Sequence, residues 1–65
     1  MDEKSHAKMA YTVPEAARLL SLSRAFLYRL IDRGEIGTIL VGRARRITAG
    51  QLERFVAAQE ARSGA

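Results

Sequence analysis

Arginines are the residues in this chain whose type and spacing could do chemistry. The stretch 11–47 holds seven arginines against Glu15, Asp32 and Glu35, so it carries 7 − 3 = +4, which is the net charge of the whole chain. A guanidinium group is planar and can donate two parallel hydrogen bonds to a phosphate or to the edge of a base. The localised charge therefore predicts a polyanionic partner. A solvated surface is the alternative, and it is the commoner explanation of a net charge of this size.

Residue types that support catalysis or metal binding are scarce. The chain has no cysteine, and its one histidine is His6 in the polar N-terminal stretch. Ser21 and Ser23 have no candidate base, and no two acids share an evident face. The glycines are too scattered for a phosphate-binding loop or a dinucleotide fingerprint. We therefore expect no catalytic residue, no metal site, no cofactor and no small-molecule ligand.

The first ten residues lack the apolar run of a signal peptide. No stretch approaches the ~20 apolar residues of a membrane span. Together with the lack of cysteine, this predicts a cytoplasmic protein without a membrane partner.

Two short helix patterns must position the first of the arginines. Thr12 and Glu15 have the spacing of a capping box, which begins a helix that runs to about Leu20. Its apolar surface, which we expect to pack on the next helix, consists of Ala16, Ala17, Leu19 and Leu20, whereas Arg18 points away. The three residues 21–23 allow only a tight turn, in which Leu22 fills the space between the helices.

The second helix is predicted over residues 24–33, with Ser23 as its N-cap and Gly34 as a left-handed stop. Its buried stripe consists of Leu27, Leu30 and Ile31. At about 100° per residue, the positions farthest from this stripe are Ala25, Arg29 and Asp32. On the flanks lie Tyr28, Arg33 and Phe26, and Arg24 in the first turn can swing toward a ligand. This face fits DNA, but the helix alone is equally compatible with a solvated face.

Residues 35–47 predict a hairpin, with strands at 39–41 and 45–47 and a turn at 42–44. We expect its apolar residues Ile39, Val41 and Ile47 to face the core. The tip and the returning strand carry Arg43, Arg45 and Arg46. Three arginines so close together repel one another. This favours contact with phosphate or with a DNA groove over a solvated loop that has no binding partner.

A third helix begins at Thr48, which forms a second capping box with Gln51. Its residues Leu52, Phe55 and Val56 have helical spacing and should close the core. The expected organisation is a disordered tail at 1–10, one domain at 11–60 and a frayed tail at 61–65.

In order and spacing, these pieces resemble the excisionase-type winged helix-turn-helix. This is a small-domain relative of the mercury-resistance-regulator (MerR) superfamily. The matching segments are Thr12-Val-Pro-Glu-Ala-Ala17, Leu22-Ser-Arg24, Leu27-Tyr-Arg-Leu-Ile31, Gly34-Glu-Ile36, Val41-Gly-Arg43 and Arg46-Ile47. The implied fold is mainly α with a two-stranded β-hairpin, in the order helix-helix-β-hairpin-helix.

The resemblance also implies how such a protein binds double-stranded DNA. The second helix would enter the major groove, with base-reading positions at Ala25, Arg29, Asp32 and Arg33 and with Arg24 and Tyr28 near phosphates. The wing would bring Arg43, Arg45 and Arg46 to the adjacent backbone or minor groove. This chain departs from the pattern at Arg45, which is often aromatic in relatives, and at Leu40, which is often basic.

Proteins of this kind act as recombination directionality factors. They bind repeated sites beside an attachment site, often as neighbouring copies, bend the DNA and help an integrase (a tyrosine or serine recombinase) to excise. The resemblance thus implies a bacterial or phage-encoded protein of the nucleoid. A small transcriptional regulator would need the same contacts. A third hypothesis is an adaptor that binds an acidic protein through the wing arginines, with Phe26 and Leu40 as further contacts.

Overall fold

Residues 9–64 are described by the computed structural model as three helices and three short strands. In chain order these are β1 (Ala10–Tyr11), α1 (Val13–Leu20), α2 (Arg24–Asp32), β2 (Ile39–Val41), β3 (Ala44–Thr48) and α3 (Ala49–Arg62). The predicted fold class, mainly α with the order helix-helix-hairpin-helix, is confirmed, and β1 is an additional strand. Most of the predicted N-terminal tail, residues 1–8, lies outside the described residues, but Ala10 belongs to the sheet.

The boundaries of α1 and α2 arise from local hydrogen bonds. Thr12 Oγ1 accepts from the amide of Glu15 at 3.2 Å, and Glu15 Oε1 accepts from the amide of Thr12 at 2.9 Å. The predicted capping box is therefore confirmed. Ser21 ends α1 in the left-handed region at φ 59°. Ser23 Oγ then accepts from the amide of Phe26 at 3.1 Å, and Gly34 follows α2 at φ 77°. The predicted N-cap at Ser23 and the predicted left-handed stop at Gly34 are therefore confirmed.

Among residues 9–64, eight buried residues form the core and come from all three helices, β3 and the loop after α2: Val13, Ala16, Ala17, Leu27, Leu30, Ile36, Ile47 and Leu52. On α1 the inward stripe follows i, i+3, i+4 and i+7 spacing from Val13 to Leu20. Leu19 lies off this stripe and is 59% exposed, so its predicted place in the helix contact is wrong. Val56 is likewise 40% exposed, because Leu52 and Phe55 form the packed stripe of α3.

The three strands form one antiparallel sheet in the order β1-β3-β2. The register pairs Ile39 with Arg46 and Val41 with Ala44, so these four side chains share one face. Ile47 is fully buried on the other face because successive residues alternate in a strand. The predicted inward orientation of Ile39 and Val41 is therefore wrong, whereas that of Ile47 is confirmed.

The start of α3 is held by Thr48 and by Met9, the residue before β1. Thr48 Oγ1 accepts from the amide of Gln51 at 3.1 Å, which confirms half of the predicted capping box. The Gln51 side chain does not return this bond but lies against Gly37, where an added Cβ would come within 2.8 Å of its amide. The amide of Ala49 donates to the carbonyl of Met9 at 3.0 Å. The helix continues to Arg62, two residues past the predicted domain end.

Candidate nucleic-acid interface

The exposed face of α2 is held from behind by its buried stripe. Leu27 is fully buried and Leu30 is 4% exposed, while Ile31 packs at the edge of the core. The predicted contact residues on this helix are all solvent-exposed: Arg24, Ala25, Tyr28, Arg29, Asp32 and Arg33. The burial thus fixes the orientation of the helix and leaves the predicted face free. Whether these residues bind DNA stays a prediction.

Arg29 lies near the middle of this face. Its guanidinium carbon is 5.8 Å from the centroid of the Phe26 ring, one helical turn earlier. At an exposed site such a cation–π contact is worth about 0.5–1 kcal/mol, enough to bias the side chain along the helix without burying it. Among residues 9–64, no carboxylate pairs with Arg29. Its donors are therefore available to a base edge.

Arg33 differs from Arg29 because it already has an anionic partner. Its Nη1 lies 3.3 Å from Glu35 Oε2, and Glu35 Oε1 lies 3.7 Å from Arg62 Nη1. Exposed ion pairs of this kind contribute about 0–1 kcal/mol, so Arg33 can leave Glu35 at small cost. Asp32, the one acid on the face, can accept from a cytosine amino group but repels phosphates.

The hairpin turn consists of only Gly42 and Arg43, because Val41 pairs directly with Ala44. Gly42 has φ 64°, and Arg43 is not among the residues with positive φ. This combination is typical of a type II′ turn, in which glycine takes the first central position. The Arg43 side chain is exposed at the tip, two residues after the end of β2 and one before the start of β3.

The other two wing arginines lie on opposite faces of the hairpin, since neighbouring residues of β3 alternate. Arg45 Nη1 donates to Thr38 Oγ1 at 2.9 Å, and Arg46 Nη1 donates to the carbonyl of Arg45 at 2.9 Å. Thr38, which sequence reasoning missed, thus positions Arg45. Its role depends on the register, because Arg45 pairs with Leu40 and Thr38 is the diagonal neighbour. The sequence gives no local signal for this contact.

Within the described stretch, no three His, Cys, Asp or Glu residues form a group that could hold a metal ion. No helix in residues 9–64 combines the length and apolarity needed to cross a membrane.

The fold and its basic helix and hairpin define a helix-turn-helix DNA-binding domain of winged type. The helix-turn-helix domain family matches residues 10–60, so the chain belongs to this family. A protein of Saccharopolyspora erythraea named "Probable excisionase" is 38% identical over 50 residues, which cover 77% of this chain and 51% of that protein. The chain thus spans about half the length of this relative. No solved structure gives a significant match.

Proposed function

We propose that this protein is an excision factor that binds specific duplex DNA and directs an integrase toward excision. The observation that carries the proposal is the arginine-bearing face of α2, held by a buried stripe and followed six residues later by an arginine hairpin. A helix with one exposed polar face fits a major groove, and a basic hairpin fits the neighbouring backbone or minor groove. The likeness to a probable excisionase supports the finer assignment.

In this proposal, α2 chooses the sequence mainly through Arg29. Its guanidinium can donate two bonds to O6 and N7 of guanine. Ala25, one turn earlier, offers only a methyl contact, for example to thymine. Arg24 and Tyr28 bind phosphates, and Asp32 and Arg33 meet the next turn of the groove. With one strong base contact, much of the remaining specificity comes from DNA shape.

The wing supplies affinity rather than sequence choice. Arg43 at the tip and Arg45 and Arg46 on β3 contact phosphates or the minor groove, and neighbouring copies on repeated sites bend the DNA. With about five phosphate contacts in all, log affinity should fall against log salt with a slope of about −4 to −5. A slope near zero in a gel-shift series would exclude this mode of binding.

The decisive experiment is a random-oligonucleotide selection, followed by footprinting of the selected site in the host element. We expect repeated sites beside an attachment site, a bend in a circular-permutation assay, and more excision by the neighbouring integrase when the protein is present. A single site at a promoter, with no effect on excision, would instead identify a transcriptional regulator.

One observation favours a second candidate, an adaptor that binds an acidic protein through the wing. All of β2 is exposed, with Leu40 at 66% and Val41 at 59%, and arginines flank it. The adaptor hypothesis predicts that the selection enriches no sequence. It also predicts that Leu40→Ser weakens capture of the acidic partner.

A further inference from the structure

A second apolar surface adjoins the α2 face at Phe26 but contains none of the residues proposed to bind bases and phosphates. It is a shallow groove between the end of α1, the turn into α2 and one side of α3, lined mainly by Leu19, Leu20, Leu22, Phe26, Phe55 and Val56. Leu19 is 59% exposed, Val56 40% and Phe26 38%. We call this surface the acidic groove, because its charged lining residues are Glu53 and Glu60.

The two glutamates give the groove a sign opposite to that of the wing. They are seven residues apart on α3, which is two helical turns, or about 10 Å, along the same side of the helix. The ion pairs formed between described residues all involve Glu35, so Glu53 and Glu60 are available to an external cation. The same charges repel phosphate, which argues against DNA as the occupant.

The walls of the groove favour a helix over an extended segment. They consist of side chains from the three helices, the turn between α1 and α2 and the C-cap of α3, and no strand edge lies among the lining residues. A bound strand would therefore find no backbone partners in the groove, whereas a helix satisfies its own backbone groups. From Leu52 to Ser63 the wall measures about 16 Å, which matches three turns of a bound helix.

The charge and the walls of the groove define its occupant. We propose that the acidic groove docks an amphipathic helix of another protein, with a leucine-type stripe and basic residues seven positions apart that face Glu53 and Glu60. The proposed docking does not depend on the DNA sequence that the protein binds. If no such helix binds, the proposed function still stands.

The test uses two synthetic 15-residue helical peptides with the same leucine stripe, one with arginines at the two flanking positions and one with glutamates there. Each is titrated into the full isotope-labelled chain and followed by amide chemical shifts. We expect the basic peptide to shift amides along α3 and at the end of α1. We also expect it to bind about 5- to 10-fold more tightly than the acidic peptide, as two exposed charge pairs allow.

Variants separate the apolar and the charged parts of this site. Glu53→Lys combined with Glu60→Lys should reverse the preference between the peptides. Val56→Asp should abolish the binding of both, with circular dichroism to verify folding. Leu40→Ser, a matched apolar-to-polar change on the wing, should alter neither. Equal binding of the two peptides, no binding of the basic peptide, or shifts confined to α2 and the wing would overturn the proposal. A dimer of the wild-type chain in analytical ultracentrifugation that Val56→Asp converts to a monomer would overturn it too.

Discussion

Helix α2 and the hairpin carry the same kind of charge but differ in how the core supports them. One side of α2 is inserted into the core through Leu27 and Leu30. In the hairpin, only β3 reaches the core, through Ile47, and β2 is exposed along its whole length. The core thus holds α2, whereas β2 and the tip of the hairpin depend on the β2–β3 ladder and the turn.

This difference suits different tasks. Base recognition needs donors placed within a narrow range of distance and angle, so it belongs on the element that the core holds. Phosphate attraction acts over a Debye length of about 8 Å at physiological salt, so it tolerates a segment that opens locally. We infer that α2 governs sequence choice and that the hairpin governs overall affinity.

The largest expected effect comes from the core support of α2. Leu27→Ala should lower the free energy of unfolding by about 2–5 kcal/mol, because it leaves a cavity at a fully buried position. A chain of this length buries only roughly 60% of its unfolded surface, so its stability is low. In a urea titration, the variant should already be largely unfolded before urea is added. Leu40→Ala, at a residue 66% exposed, is the control and should change stability by less than about 0.5 kcal/mol.

Arg29→Ala tests the α2 side of the comparison. We expect a loss of about 1–3 kcal/mol in binding to the selected site, since one bidentate base contact disappears. Isothermal titration calorimetry measures this loss directly. Arg18→Ala removes the same charge from an exposed position on α1 and should cost much less. Equal losses for the two variants would mean that Arg29 contributes charge alone.

Gly42→Ala tests the independence of the hairpin. A Cβ added at position 42 would meet no atom within 4 Å. The positive φ of 64° nevertheless disfavours a side chain, so the substitution should lower the stability of the hairpin by about 1 kcal/mol. Amide hydrogen exchange should accelerate in β2 and β3 and stay unchanged in α2. Gly64→Ala, with φ 73° near the C-terminus, is the matched control. Equal acceleration in α2 would show that the two regions open together.

Arg43→Ala should have the smallest effect. It should weaken binding to every duplex alike and reduce the salt slope by about 1, because one phosphate contact is lost. A gel-shift series at several salt concentrations measures the slope. Arg54→Ala, an exposed arginine on α3, should leave the slope nearly unchanged. A loss confined to the selected site would assign base recognition to the wing instead.

Sequence alone predicts the helices well because their boundaries depend on local chemistry. The Thr12–Glu15 capping box, the Ser23 N-cap and the Gly34 stop each involve residues within three positions of one another. The exposed face of α2 follows from helical periodicity. These features need no knowledge of distant parts of the chain.

The hairpin faces could not be predicted because they depend on the length of one turn. A three-residue turn at 42–44 would place Ile39, Val41 and Ile47 on one face, whereas the two-residue turn reverses β2 relative to Ile47. The pairing of β1 with β3, the Gln51–Gly37 contact and the Thr38–Arg45 bond all join segments that are distant or register-dependent. Ile36, buried after α2, has no periodic partner that would mark it as core.

The central claim is that α2 governs sequence choice and the wing governs overall affinity. It is tested most directly by the ratio of the affinities for the selected site and for a scrambled duplex. This ratio should be measured at one salt concentration for the wild-type chain, Arg29→Ala and Arg43→Ala. We predict that Arg29→Ala lowers this ratio by about 5- to 150-fold, as a loss of 1–3 kcal/mol implies. Arg43→Ala should weaken both affinities and leave the ratio unchanged. A ratio that falls with Arg43→Ala and holds with Arg29→Ala would contradict the account.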